Sequence, residues 1–206
     1  MFREEALYIR AIIETLFKIK KSNISSILDV GSSDLTFRTK VQPYIEEIIF
    51  QPLRKRGCRI YHLDAKSGEG IDIVMDATQL YTLNMTFDLV LCCNLLEHCS
   101  DIPKTIIGLK KVTKIGGYLL ITSPLKYVYH PDPIDNFLRP DARTLEFLFR
   151  NSFKPIFSIT ISINDIKIKE RLLSFFKFII QKEILRFNLS QLFGKFKVTI
   201  ILLKRI

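Results

Sequence analysis

The sequence predicts a doubly wound α/β domain with a mostly parallel sheet, and three observations carry that expectation. Short apolar runs end in acids or small polar residues, at Leu28-Asp29-Val30-Gly31, Leu63-Asp64, Met75-Asp76 and Cys92-Cys93-Asn94. Amphipathic stretches alternate with these runs, so that strand, helix and strand repeat along the chain. The run 87–94 is nearly all apolar, as a central parallel strand covered on both faces must be. At 206 residues the chain is long enough for one core of this kind and too short for two full domains, so a single domain over 1–206 is expected.

Residues 4–21 read as an amphipathic helix, because Ile12, Ile13, Leu16 and Phe17 fall on a helical period around Glu14 and Thr15. Its lysines gather at the C-terminal end, where they suit the helix dipole, and the helix should cover one face or edge of the sheet. The first strand ends in the turn Gly31-Ser32-Ser33-Asp34. A glycine there lets the backbone approach a ligand with no Cβ in the way, and the free amides of the next helix offer donors to its polar atoms. That describes a nucleotide-type pocket at the carboxyl end of a first strand.

Residues 34–56 should be helical overall, interrupted at Pro43 and Pro52 and closed by Gly57. A second strand is expected over 58–64, a third, short one over 71–76 and a fourth over 87–94. A helix over 102–114 should end at Gly116 and Gly117, with a fifth strand over 118–123. The loop 124–140 carries His130, Asp132, Asp135 and Arg139 among several prolines, beside Tyr127 and Tyr129, and is too stiff and too polar to be filler. Asp141 should cap a helix to about Arg150, and strands are expected over 153–163 and 196–203. Between these last two, 164–195 reads as a helical insertion studded with lysines.

Charge and cysteines narrow the function classes. The formal charge of +10 comes mostly from lysines scattered among isoleucines and phenylalanines, a pattern of solvated surface, and no nucleic-acid partner is expected. The four cysteines show no paired spacing, and Cys92 and Cys93 fall inside an apolar strand. They read as reduced core residues with no metal to hold, which, with an N-terminus unlike a signal peptide, predicts a cytoplasmic protein.

The succession Leu28-Asp29-Val30-Gly31-Ser32, Leu63-Asp64, Asp76-Ala77, the run 87–98 ending Leu95-Leu96-Glu97-His98, and Gly116-Gly117 before a strand resembles the class I S-adenosylmethionine-dependent methyltransferases. The resemblance runs from about Ile27 to Pro124 and looks like the small-molecule branch. It implies a Rossmann-like seven-stranded sheet with an antiparallel last strand, and S-adenosyl-L-methionine as cofactor. Asp29, Gly31 and Ser32 match the turn under the methionine part of the cofactor. Ser32, Ser33 and Asp34 stand where the pattern often has Gly-x-Gly. Asp64 matches the acid that accepts both ribose hydroxyls, a bond pair suited to a carboxylate facing a vicinal diol. Asp76 and Ala77 match the adenine contact, and Asn94 falls in the methyl-donor region.

Methyl transfer from a sulfonium is an in-line displacement, so the protein must align an acceptor and relieve it of a proton. His98 and His130 are the candidate bases near neutral pH, with Glu97 acting behind them at most. No Asn/Asp-Pro-Pro-aromatic signature follows the fourth strand and no Pro-Cys nucleophile is present, so nucleic-acid base methylation is not expected. The leading expectation is methylation of a small metabolite, such as a sugar, glycan or lipid intermediate. The alternative is a catalytically silent cofactor-binding or assembly module of the same fold. The basic, apolar stretch 167–193 can pack on the domain's own sheet, meet a second subunit, lie on a membrane surface or cover the pocket.

Overall fold

The computed structural model describes residues 1–18, 24–131, 134–163 and 195–206. Its strands are β1 (Ser26–Val30), β2 (Arg59–Asp64), β3 (Ile73–Val74), β4 (Phe87–Cys93), β5 (Thr113–Lys126), β6 (Phe153–Ile163) and β7 (Phe196–Arg205). They form one seven-stranded sheet in the order β3-β2-β1-β4-β5-β7-β6. The first five run parallel, and β7 lies antiparallel between β5 and β6. The expected parallel sheet with an antiparallel last strand is therefore present.

Alternation along the strands sends side chains to two separate cores. Ile27, Leu89, Leu91 and Leu120 point to one face, where they meet Ile9, Ile13 and Leu16 of α1 (Arg3–Lys18) and Ile49 and Phe50. Leu28, Val90, Cys92 and Leu119 point to the other, against Leu109 of α4 (Ile102–Val112) and Leu145 and Phe149 of α5 (Ala142–Phe149). With both faces covered, each of these buried aliphatic side chains contributes about 1.5–3 kcal/mol. Asp101 and Asp141 cap α4 and α5 by accepting from Lys104 N at 3.0 Å and Thr144 N at 2.8 Å.

Three expected elements take a different form. The stretch 34–56 is a chain of short pieces, in which wide helical turns over Phe37–Val41 and Glu46–Phe50 alternate with α2 (Pro43–Ile45) and α3 (Gln51–Lys55). Pro43 and Pro52 each sit at the start of a piece, where a missing N–H costs least. The third strand is cut to Ile73–Val74, because the Asp72 side chain takes the place of a ladder partner by accepting from His62 N at 2.7 Å. Gly116 and Gly117 do not end α4, which stops at Val112; both lie inside β5. Gly116 has φ +79°, and a Cβ on Gly117 would sit 2.9 Å from Asp88 O, so the pair lets β5 pass close to β4 where their register shifts.

All four cysteines are free, with Cys58, Cys92 and Cys99 buried. No helix among the described residues is long and apolar enough to cross a membrane. The expected insertion over 164–195 lies, apart from Lys195, outside the described residues, as does the basic stretch 167–193.

Candidate active site

A cavity of about 1420 Å³ opens at the carboxyl ends of β1, β2, β4 and β5. This is where an open parallel sheet places its ligands. Asp29, Gly31, Ser32, Asp64, Asp76, Ala77 and Asn94 all line it, and so do His98 and His130, so one cavity gathers every site residue read from the sequence. A pocket for one small ligand spans about 300–1000 Å³, and this cavity exceeds that range.

Its floor is the turn after β1. Gly31 takes φ +74°, and a Cβ there would lie 2.8 Å from Leu95 Cδ1, so the glycine makes room for Leu95 rather than for a ligand. Gly31 N and Ser32 N both donate to Leu63 O, at 2.8 and 3.0 Å. The Ser32 hydroxyl is turned onto Ser33 O at 3.0 Å. Arg38, fully buried, straps the turn to the neighbouring loop by donating to Ser33 O and, at 2.8 Å, to Gly70 O. Burial pulls the Arg38 pKa down, and the Asp29 and Glu46 carboxylates oppose the shift.

Asp29 is buried beneath the turn with its Oδ2 3.1 Å from His62 Nδ1. Arg54 Nη2 lies 3.0 Å from His62 Nε2. A guanidinium only donates, which assigns the His62 proton to Nδ1 and the bond to Asp29. Arg54 is itself paired with Glu46. The Asp29 carboxylate thus anchors a buried network under the turn.

Asp64 Oδ2 accepts from Ser33 N at 2.9 Å and its Oδ1 from Lys66 N at 3.0 Å. Both oxygens keep a further lone pair, so the half-buried carboxylate ties the turn to β2 and still has capacity for a diol. Asp76 Oδ1 caps the short helical turn Ala77–Thr82 through Thr78 N at 2.8 Å, while Oδ2 takes no part in that cap. Ala77 N–H, the first amide of the turn, has no partner within it. Asn94, at φ +48°, donates from Nδ2 to Glu5 Oε1 at 2.8 Å. Glu5 Oε1 also accepts from Thr122 Oγ1, so Asn94 docks the start of α1 over the ends of β4 and β5. The rings of Phe2, Tyr127 and Phe196 cluster together next to Glu5, with centroids 5.0–6.1 Å apart and Phe2 stacked on Phe196.

Beyond Asn94, the helical turn Leu96–His98 meets the loop after β5. Asn136 Nδ2 donates to Leu96 O and Cys99 O, both at 2.8 Å, and fastens the loop there. Within the loop Asp135 and Arg139 pair with each other, Nη2 to Oδ2 at 2.7 Å. Burial would raise the Asp135 carboxyl, but Arg139 and the amides of His130 and Phe137 outweigh it and hold it well below the usual carboxylate range. His98 Nδ1 lies 2.6 Å from Ile134 O, and His130 Nδ1 3.0 Å from Val128 O. Carbonyls only accept, so Nδ1 carries a proton in each ring, with Asp135 Oδ2 also 3.3 Å from that of His130, and Nε2 is the nitrogen that offers a lone pair in the neutral ring. The two rings stand edge to face, centroids 5.0 Å apart. Burial lowers the His130 pKa. Glu97 is fully buried, neither of its oxygens has a hydrogen-bond partner among the described residues, and burial pushes its carboxyl up to about 7.

The family model described as a methyltransferase domain matches residues 47–121, the stretch from the turns before α3 to the middle of β5. The sheet order of the chain, with β7 antiparallel between β5 and β6, settles the architecture. The domain has the class I methyltransferase fold. Solved structures with this fold include TehB from Haemophilus influenzae, at 13% identity and TM-score 0.56, covering 95% of this chain and 62% of that one. The chain thus spans less than two thirds of TehB. The N-methyltransferase NodS from Bradyrhizobium japonicum WM9, solved with S-adenosyl-L-homocysteine, matches at 12% identity and TM-score 0.53, over 95% of this chain and 86% of that one. Magnesium protoporphyrin IX methyltransferase (ChlM) from Synechocystis PCC 6803, solved with bound SAM, matches at 12% identity and TM-score 0.56, over 98% and 80%. No curated protein matches the chain in sequence.

Several residues of this cavity escape the sequence reading. Arg38 and His62 give no signal, because their roles come from partners brought together only by the fold. Glu5 does give one: it lies four residues before Ile9, on the apolar stripe of α1, where an acid needs a buried partner.

Proposed function

We propose that this protein is an S-adenosylmethionine-dependent methyltransferase acting on a small, polar metabolite, with a sugar or sugar-bearing intermediate as acceptor. The observation that carries the reading is the Asp64 carboxylate, fixed by two backbone amides at the end of β2 with lone pairs left over, inside a cavity larger than one ligand needs.

The donor set fits the cofactor. Asp64 would hold the ribose hydroxyls, Asp76 and the Ala77 amide the adenine edge, and the turn at Gly31 and Ser32 the methionine part. When bound, S-adenosylmethionine supplies an electrophilic methyl group. The chain's own residues do the rest. Asn94 and Glu5 fix the start of α1 at the cavity mouth, and Phe2, Tyr127 and Phe196 exclude water there. His98 and His130 present Nε2 lone pairs on the acceptor side, next to Glu97, where the acceptor's proton must leave. The stacked Tyr129 and Phe137, both exposed with centroids 5.1 Å apart, offer an apolar face beside that polar cluster, which suits a sugar ring.

Incubation with methyl-labelled S-adenosylmethionine and a panel of sugars, nucleotide sugars and glycolipid precursors tests the reading. Label should appear in an acceptor of that class. Cofactor binding without transfer to any of them would favour the silent-module alternative.

A further inference from the structure

We propose that Glu97, His98 and His130 form a binding site for a divalent transition metal, of the two-histidine, one-carboxylate kind, at the acceptor end of the cavity. One nitrogen from each imidazole and one Glu97 oxygen all lie within 4.8 Å of one another. Donors held about 2.1 Å from one cation stand roughly 3 to 4 Å apart, so side-chain movements of about 1 Å close the set.

Three independent features point to a cation. Glu97 is fully buried with both oxygens unpartnered among the described residues, and Arg139, the neighbouring guanidinium, is spent on Asp135. A buried carboxylate left without donors is costly, and a metal ion supplies the missing charge and bonds together. Both histidines commit Nδ1–H to backbone carbonyls, Ile134 O and Val128 O. That second bond is what orients a metal-binding imidazole and leaves Nε2 as the ligand atom. The positions are also stiffly held: Asn136 clamps the backbone on either side of Glu97 and His98, and the Tyr127 ring packs edge-on to His130 at 4.6 Å.

A set of two imidazoles and one carboxylate suits Zn²⁺, Mn²⁺, Fe²⁺ or Co²⁺ better than Mg²⁺ or Ca²⁺, which prefer all-oxygen sites. Three protein ligands leave coordination positions open. Because Glu97, His98 and His130 all line the cavity, those positions face it. On the methyltransferase reading, and resting on it, an acceptor oxygen occupies an open position, where the cation fixes its place and makes its hydroxyl more acidic. This assigns the two histidines as ligands rather than bases: the cation would lower the pKa of the bound acceptor hydroxyl, and its proton would pass to water in the open cavity.

The test uses the full chain without an affinity tag, stripped with chelator and titrated separately with Zn²⁺ and Co²⁺. We expect one equivalent bound, visible-region Co²⁺ absorption of a low-symmetry nitrogen-oxygen site, and a metal-dependent rise in Tm. His98→Ala, His130→Ala and Glu97→Gln should each weaken binding at least 10- to 100-fold, by analogy with the losses seen when metal-site partners are removed. Circular dichroism and titration with S-adenosylhomocysteine on the same samples keep the two proposals apart. S-adenosylhomocysteine binding with no metal uptake by the wild type overturns the metal site and leaves the methyltransferase reading standing. Metal uptake unchanged in all three folded variants also overturns it, since the ion then sits elsewhere. Stoichiometric, variant-sensitive uptake supports the site even where S-adenosylhomocysteine does not bind.

Discussion

Gly31 occupies its turn for two separable reasons. Its φ of +74° lies in the left-handed region, which costs an L-residue about 1–2 kcal/mol, and its missing Cβ leaves space for Leu95 Cδ1. The far end of a leucine can swing aside, so the backbone term should dominate. Gly31→Ala is expected to lower stability by about 1–2 kcal/mol, a fall in Tm of roughly 2–8 °C, with Leu95→Ala unable to restore it. Full rescue by Leu95→Ala would show that the contact matters more than the backbone. The glycine itself is legible in the sequence, because an acid, an apolar residue and a glycine at a strand end mark a turn. Its purpose is not, since Leu95 stands 64 positions away in the chain and reaches the turn only through β4 beside β1.

At the scale of elements, strands are read more easily than their ends. Apolar runs such as 89–93 leave little choice, and β4 appears as expected. Gly116-Gly117 misleads because the same dipeptide that stops a helix also relaxes a strand, and only the approach of Asp88 O decides between the two. Asp88 further shows how strands are locked together. Its Oδ2 accepts from Ser25 N and Ser26 N at 3.0 and 2.8 Å, and its Oδ1 meets Lys114 Nζ at 2.7 Å, joining β1, β4 and β5. Burial would raise this carboxyl, but Lys114 and the serine donors prevail and hold it well below the usual range. A carboxyl depressed in the fold stabilises above its unfolded pKa of about 3.9, and that contribution fades as pH falls toward the folded value. Asp88→Ala should therefore cost about 1–3 kcal/mol by urea unfolding at pH 6, and visibly less at pH 2.5. A cost that stays constant between those pH values would rule out the charged form as the source. Asp135, also depressed, is present in both proteins and cancels from the comparison.

Across the whole molecule, the sequence reveals the cofactor half of the cavity better than the acceptor half. Asp29, Gly31, Asp64 and Asp76 lie at or just beyond the carboxyl ends of β1, β2 and β3, and strand ends of a parallel sheet converge on one crevice whatever the details of packing. Glu97 and His98 share the turn Leu96–His98 while His130 comes from the loop after β5, and their meeting depends on the clamp by Asn136, so the shared site is visible only in three dimensions. Binding of S-adenosylmethionine in this crevice through Asp64 is tested by calorimetric titration of the wild type and Asp64→Ala with that ligand. Saturable binding at one site is expected in the wild type, with a loss of about 1.5–3 kcal/mol in the variant, roughly 10- to 150-fold in Kd, and circular dichroism unchanged. No heat from a folded wild type, or equal affinity in the two proteins, would contradict it.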